Sequence, residues 1–349
     1  MPNKNIPTFA EYSSGWWDLE KCEYLREQNK RKDLTLSYVE KSHAVLDNQL
    51  IPYFGKMKLD KITPEVIEKW FDKLVKEEVK NSTINGYYAA LMTMLKWAVK
   101  KKVIKADPTR EITKLKDDCR EIKISTQKEF KALFVKDWRK VWDNNLVFYA
   151  ANKLAALTGM RASELLGLRG EYVHDDHIYV CAQYDRYGYR PTKTKDKNNI
   201  VLAPEMIADL KELMKANGVG YVFSDDGGRK PVSHKRLRRG YCKALANIGM
   251  KEAEIEERGL CLHGWRHFCN TELQKGGLTI TQVQAVTRHK TKRMTERYSH
   301  FNPSDFTQVT KVQSDLLQPE PEKETGKKPS AKIRIVKPET AAGLQSGVA

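Results

Sequence analysis

The residues best suited to chemistry begin at His263, in the run His-Gly-Trp-Arg that ends at Arg266. On a helix, residues three positions apart lie on one face, one turn from each other. This spacing places an imidazole, which can transfer a proton, beside a guanidinium with a fixed positive charge. Further along, His289 and Tyr298 add a second imidazole and a phenol, nine residues apart. Together these groups are typical of a phosphate site with an oxygen nucleophile.

A second arginine, Arg161, follows an apolar helix predicted over 145–158. It stands in the run Thr-Gly-Met-Arg-Ala-Ser-Glu, which ends at Glu164. An arginine held just past a glycine turn can point its planar fork into a groove. Alternatively, Arg161 pairs with Glu164 and braces the start of the next helix. Glu164 could also orient Arg161 for catalysis.

Two basic segments are candidate phosphate contacts. One lies between two predicted strands, in the run Thr-Lys-Thr-Lys-Asp-Lys that starts at Thr192. The other opens a helix predicted over 233–248. Its candidate DNA-binding residues are Lys235, Arg236, Arg238 and Arg239. Such contacts fix a protein on a nucleic-acid backbone without reading sequence.

In order and spacing, these residues resemble the tyrosine recombinase, or phage-type integrase, family. The family pattern is an Arg in a Thr-Gly-x-Arg-x-x-Glu context, a hairpin Lys, His-x-x-Arg, a His or Trp, and a Tyr. The resemblance covers roughly residues 125–302. One residue departs from it, since Arg288 stands where the family usually has Gly before the second His. Arg is tolerated at such a helix end unless its φ is positive.

The resemblance implies the main catalytic roles. Tyr298 would attack a DNA phosphodiester and form a covalent phosphotyrosine. Arg161 and Arg266 would clamp the non-bridging oxygens, and His289 would donate to the same oxygens. His263 would take the tyrosine proton or assist other acid–base steps.

It also implies supporting roles. Lys193 would protonate the departing 5′ oxygen, with Lys195 as the alternative, while Lys195 and Lys197 are further candidate DNA contacts. Glu164 and His267 are supporting residues. No metal is implied, because the guanidinium pair stabilises the charge. No other cofactor is implied either, because the phosphotyrosine conserves the energy of the broken linkage.

Composition favours a polyanionic partner and a cytoplasmic protein. The 349 residues include 62 Lys and Arg against 45 Asp and Glu, a formal charge of +17. Basic side chains that neutralise phosphates release counterions and so favour binding. The six cysteines form no C-x-x-C pair, which is typical of reduced thiols. The sequence has no apolar signal core and no run of about 18 apolar residues, so we expect no membrane segment.

Apolar periodicity predicts a mainly α fold with a small β-hairpin or sheet, in two domains. The first domain would hold four helices, over 16–28 and 36–54 and from the caps Thr63 and Ser82. It resembles the SAM-like core-binding domain of the family. The second, the recombinase catalytic domain, would begin at a capping box formed by Thr126 and Glu129. The predicted segments are a flexible N-terminus (1–15), the helical DNA-binding domain (16–108), a linker (109–124), the catalytic domain (125–312) and a disordered tail (313–349).

Within the catalytic domain, strand patterns flank a turn-rich segment at 185–190. Further helices are predicted over 204–217, 263–277, 279–288 and 291–298.

These features predict a site-specific DNA recombinase, the integrase of a phage or conjugative element. Its partners would be double-stranded DNA attachment sites, further copies of itself as a tetramer on DNA, and accessory DNA-bending or excisionase proteins. It would be cytoplasmic in a prokaryotic cell and nucleoid-associated when bound to DNA. The alternatives are a type IB topoisomerase-like activity that relaxes DNA, and a non-catalytic DNA-binding regulator.

Overall fold

The structure is a computed structural model that describes residues 6–31, 34–116, 118, 123–135, 137–192 and 198–288. The chain divides into two compact units, residues 1–121 and residues 122–349. Each unit has a hydrophobic core of its own.

The first unit is helical. Its helices are α1 (Phe9–Ser13), α2 (Glu23–Asn29), α3 (Leu36–Val45), α4 (Ile51–Phe54), α5 (Pro64–Lys76) and α6 (Asn81–Lys100). The helix predicted over 36–54 is present, with a π-helical turn at Leu46–Leu50 between α3 and α4. Pro52 has no N–H to donate one turn back, which favours such a shift in hydrogen bonding. Thr63 caps α5 as predicted, since its side chain accepts from the N–H of Val66.

The flexible start predicted for residues 1–15 is wrong from Thr8 onward. Thr8 and Glu11 form a capping box that begins α1, and Phe9 is fully buried in the core. The helix predicted from Trp16 is also wrong at its start. Gly15 and Trp17 have φ values of 76° and 63°, so this segment is a turn that buries both tryptophans before α2.

The linker predicted for 109–124 is wrong over its first ten residues. Tyr88 of α6 donates to the carbonyl of Thr109, and Asn85 exchanges hydrogen bonds with the backbone of Leu115. The Asp118 carboxylate accepts from the first N–H groups of α6, those of Asn81 and Ser82, at 2.7 and 3.0 Å. The predicted cap Ser82 therefore lies inside the helix, and a residue far along the chain caps it instead.

The second unit packs helices around α9. Its helices are α7 (Gln127–Phe134), α8 (Trp138–Val141), α9 (Leu146–Thr158), α10 (Ala162–Leu166), α11 (Pro204–Asn217), α12 (His234–Asn247), α13 (Glu252–Arg258), α14 (Gly264–Lys275) and α15 (Ile280–Thr287). α11, α12 and α14 all contact α9, which buries Ala150 and Leu154 completely. The predicted capping box of Thr126 and Glu129 is confirmed at the start of α7.

Among the residues that the structure describes, four short strands form two antiparallel pairs. They are β1 (His177–Val180), β2 (Ala182–Asp185), β3 (Gly188–Pro191) and β4 (Asn198–Val201). β2 and β3 form a hairpin, and β1 pairs with β4 outside it. The hairpin approaches α10 closely, since a Cβ on Gly167 would lie 2.7 Å from Cα of Gln183 in β2. Only glycine permits this contact between the two backbones.

The predicted class, mainly α with a small β component, is confirmed. Within the described ranges, none of the helices is both long and apolar enough to cross a bilayer.

Candidate active site

A turn at the end of α9 positions Arg161. The helix ends at Gly159, whose φ of 64° lies in the left-handed region favoured by glycine. Two residues later Arg161 occupies the N-cap of α10. Its side chain remains 43% exposed, so part of it is accessible to a ligand.

Glu164 holds this arginine in place. One carboxylate oxygen accepts from Nη1 of Arg161 at 2.8 Å, and the other accepts from its backbone N–H at 2.9 Å. The helix-start brace that the sequence allowed is therefore present. Burial raises the pKa of the Glu164 carboxyl, but the charges of Arg288 and Arg161 more than offset this, so the pKa lies below its usual range. Glu164 is thus ionised at neutral pH.

Arg266 joins α14 to the same turn. It is almost fully buried, and its Nη1 donates to the carbonyl of Gly159 at 2.6 Å. The neighbouring Trp265 donates from its indole to Oδ1 of Asn152 in α9, and Phe268 stacks on Phe130. These contacts fix α14, so that the two predicted clamp arginines converge on one turn of the chain.

His263 completes the described part of the site. It occupies the N-cap of α14, and its ring is partly exposed. Partial burial and the positive charges of Arg266 and Arg161 lower the pKa of His263. A neutral imidazole at physiological pH can accept a proton. His267 is buried, with its ring centroid 5.3 Å from that of His263.

Arg288, the residue that departs from the family pattern, has a positive φ. This residue ends α15 with a φ of 57°, the left-handed conformation in which a side chain is least tolerated. Its Nη2 pairs with Glu164 at 2.5 Å. Sequence reasoning missed this contact because no local pattern links residues 124 positions apart.

The remaining predicted catalytic residues, Lys193, His289 and Tyr298, lie outside the described residues, as do Lys195 and Lys197. The strands nevertheless fix where the lysine segment begins and ends. Thr192 donates from its backbone to the carbonyl of Cys181 at 2.9 Å, and Asn198 pairs with Val180. Both ends of 193–197 are therefore held beside consecutive residues of the chain.

The basic cluster of α12 lies on the surface. Ser233 caps the helix, and its candidate DNA-binding residues Lys235, Arg236, Arg238 and Arg239 are all exposed. Arg236 pairs with Asp225, so its charge is partly neutralised. The other three present a positive surface to solvent.

A cysteine nucleophile and a metal site are the two other kinds of chemistry considered for these residues. Burial raises the pKa of the Cys269 thiol to about 12, so this group stays protonated and is a poor nucleophile. Among the residues that the structure describes, no cluster of three or more His, Cys, Asp or Glu side chains could hold a metal ion.

Two models of protein families match the sequence of this chain. The sequence model of the phage integrase family matches residues 126–305, and that of the phage integrase N-terminal SAM-like domain matches residues 8–75. The chain belongs to the phage integrase family. As a member it is a tyrosine-class, site-specific DNA recombinase, which confirms the prediction from the sequence. The SAM-like match begins at Thr8, in agreement with the early start of the first unit.

Individual relatives cover most of the chain. The ICEBs1 integrase of Bacillus subtilis (strain 168) is 21% identical over 303 residues, which are 80% of this chain and 78% of the relative. The Tn1549 transposon integrase in complex with a circular intermediate DNA is 18% identical with a TM-score of 0.63, covering 84% of this chain and 98% of the other. A lambda integrase tetramer bound to a Holliday junction gives 15% identity and a TM-score of 0.65, covering 85% and 78%. These structures confirm the fold of this integrase-family chain.

Proposed function

We propose that this recombinase cuts and rejoins DNA through a 3′-phosphotyrosyl intermediate formed by Tyr298. The observation that carries the proposal is the contact between Arg266 and Gly159, which joins Arg266 to the turn that leads to Arg161. The charges of both arginines also act on His263. Two neighbouring guanidinium groups suit the non-bridging oxygens of a phosphodiester. The neutral imidazole beside them suits removal of the phenol proton.

The reaction balances without an external energy source. The Tyr298 oxygen attacks phosphorus, the bond to the 5′ oxygen breaks, and the phenol proton passes to His263 or to solvent. Lys193, with Lys195 as the alternative, gives a proton to the leaving 5′ oxygen, while His289 donates to a non-bridging oxygen. A 5′-hydroxyl from another strand then attacks the phosphotyrosine and releases the enzyme. No metal or other cofactor takes part.

The relatives support a biological setting for this proposal. The ICEBs1 and Tn1549 integrases belong by name to mobile elements, and the lambda integrase forms a tetramer on a Holliday junction. We infer that this chain acts on double-stranded attachment sites, as a tetramer on DNA, to integrate or excise a phage or conjugative element. Accessory DNA-bending or excisionase proteins would assist it in the cytoplasm of a prokaryotic cell, where the DNA-bound form is nucleoid-associated.

A nicked, labelled attachment site tests the nucleophile. Loss of the short fragment downstream of the cut traps the covalent complex, which migrates slowly on a denaturing gel. Wild-type protein should give this band, and Tyr298→Phe should not. Tyr189→Phe, which changes an exposed tyrosine of β3, is the matched control and should keep the band. A covalent complex with Tyr298→Phe would assign the nucleophile elsewhere.

A further inference from the structure

Arg288 keeps a side chain where the backbone favours glycine. Its φ and ψ of 57° and 45° are left-handed, a conformation that is unfavourable for a non-glycine residue. Strained residues of this kind persist when the surrounding contacts hold them, and they concentrate at functional sites. The contact that holds this one is the ion pair with Glu164.

The pair with Glu164 is almost completely enclosed. The Arg288 side chain is 8% exposed and that of Glu164 is 7% exposed. Nε and Nη1 of Arg288 are buried and have no hydrogen-bond acceptor within the described ranges. In this part of the chain, Glu164 is therefore the single carboxylate that offsets the charge of Arg288.

Glu164 consequently lies between two guanidinium groups, Arg161 on one carboxylate oxygen and Arg288 on the other. An isolated pair of Arg161 and Glu164 would have no net charge, and its attraction for a phosphate would be weak. Addition of Arg288 gives the triad a net charge of +1. The exposed member of the triad is Arg161, so this charge is available to a ligand at that side chain.

We propose that Arg288 is a positioning residue that allows Glu164 to orient Arg161 without neutralising it. This inference rests on the proposed function, since the phosphate it serves is the scissile one. Arg288 acts through Glu164 on Arg161, and Arg161 contacts the DNA.

The first test uses Arg288→Gly, which removes the side chain and leaves a residue suited to the left-handed backbone. Cleavage of the nicked site should fall about 10- to 100-fold, by analogy with the loss of a residue that orients a metal ligand. Single-site binding should change little. The matched control is Lys102→Gly, which also removes one positive charge at a φ of 57° and lies in the other unit. It should cleave at the wild-type rate.

Charge rather than packing is tested by a double-mutant cycle. In the wild-type background, Glu164→Gln should slow cleavage, because Arg161 loses its orienting ion pair. In the Arg288→Gly background the same change should accelerate cleavage, because it removes the carboxylate that neutralises Arg161. An equal slowing in both backgrounds would overturn the proposal.

A neutral substrate gives a readout that a folding defect would not affect. Replacement of one non-bridging oxygen of the scissile phosphate by methyl removes the charge of the phosphate. On this substrate the cleavage rate of Arg288→Gly should approach that of the wild-type protein. An undiminished difference between the two rates would contradict the role of charge.

Arg288→Lys keeps the charge and the native strain, and it should cleave faster than Arg288→Gly. If it does not, the proposal fails even where Arg288→Gly folds poorly. A wild-type protein that formed no covalent complex would overturn the proposed function as well, whereas wild-type cleavage with an unaffected Arg288→Gly would overturn this inference alone.

Discussion

Gly159 combines two tasks in one residue. Its left-handed φ turns the chain towards Arg161, and its carbonyl accepts the hydrogen bond from Arg266. A side chain at this position would be strained and would meet Thr287, Arg266 and Cys269 at 3.4–3.6 Å. The positions of Arg161 and Arg266 therefore both depend on Gly159.

Loss of either arginine should affect chemistry more than binding. Arg161→Ala or Arg266→Ala should reduce cleavage by on the order of 10²–10³-fold, as for one lost preorganised donor. Affinity for the site should fall far less, because many other basic residues share the phosphate contacts. Single-turnover cleavage and gel-shift titration measure the two effects. Arg139→Ala, an exposed arginine on α8, is the control for loss of one charge. Near-normal cleavage by Arg266→Ala would remove that residue from the site.

His263 should give the enzyme a pH dependence. Its pKa is lowered, so cleavage should rise with pH through that value and then level off. The folded state binds fewer protons than the unfolded chain, so stability should fall as pH drops below about 6.5, the ordinary histidine pKa. His263→Asn should lose the rise in cleavage and show a smaller fall in melting temperature between pH 8 and pH 5. A variant with the wild-type pH profile would assign proton transfer to another group.

A substrate with sulfur in place of the 5′ oxygen can show whether Lys193 or Lys195 is the proton donor. A 5′-bridging phosphorothiolate has a leaving group that needs no proton, so it should rescue Lys193→Ala and leave Arg161→Ala impaired. The comparison is the cleavage rate on the sulfur and oxygen substrates. Rescue of Lys195→Ala in place of Lys193→Ala would move the role two residues along the chain.

Arg161, Glu164, His263 and Arg266 could be singled out from the sequence because each stands in a short motif with a local geometry. Their catalytic roles, like those of His289, Lys193 and Tyr298, remain predictions. Arg288 could not be predicted as a partner of Glu164, because the contact joins residues 124 positions apart and follows from no local spacing. Its positive φ could not be predicted either, because an arginine favours a negative φ.

Among the elements, the close contact between α10 and β2 ties the hairpin to the arginine. Gly167→Ala should lower the melting temperature of the second unit and slow cleavage, because the new Cβ would lie within 3 Å of three backbone atoms of Gln183. Gly86→Ala is the matched control. Nothing lies within 4 Å of its new Cβ in α6, so it should stabilise the helix by up to about 1 kcal/mol. Thermal unfolding of both variants would show the contrast, and a stable, active Gly167→Ala would contradict it.

Helix starts and ends were predictable where one residue supplies the signal. Thr63, Thr126 and Asn145 cap their helices as their side-chain oxygens suggest, and Gly159 ends α9. The segment from Thr109 to Asp118 was not predictable, because it has no periodicity of its own. Its structure comes from hydrogen bonds to α6, and such contacts leave no pattern in a polar sequence.

At the scale of the whole molecule, assembly should depend on DNA. A protein with a charge of +17 repels its own copies, and phosphates relieve that repulsion, so we expect a monomer in solution and a tetramer at paired sites. The segment with Phe301, Phe306 and Val309 lies outside the described residues and could dock on a neighbour or pack on its own domain. Truncation after Asp305 separates these alternatives. Docking predicts an unchanged melting temperature and single-site binding with loss of the tetramer on a native gel, whereas a large drop in melting temperature would favour packing on its own domain.

The pinned ends of the lysine segment have a consequence for how this enzyme can vary. Because Thr192 and Asn198 are held beside Cys181 and Val180, the two ends of the segment between them are fixed close together. Doubling the length of such a loop costs only about 0.6 kcal/mol in closure entropy. Insertions could therefore lengthen the reach of the ammonium group while the strands below stay unchanged. The proposed proton donor is in this respect the most freely adjustable part of the proposed site, and Arg266, which is buried and bonded to Gly159, is the least.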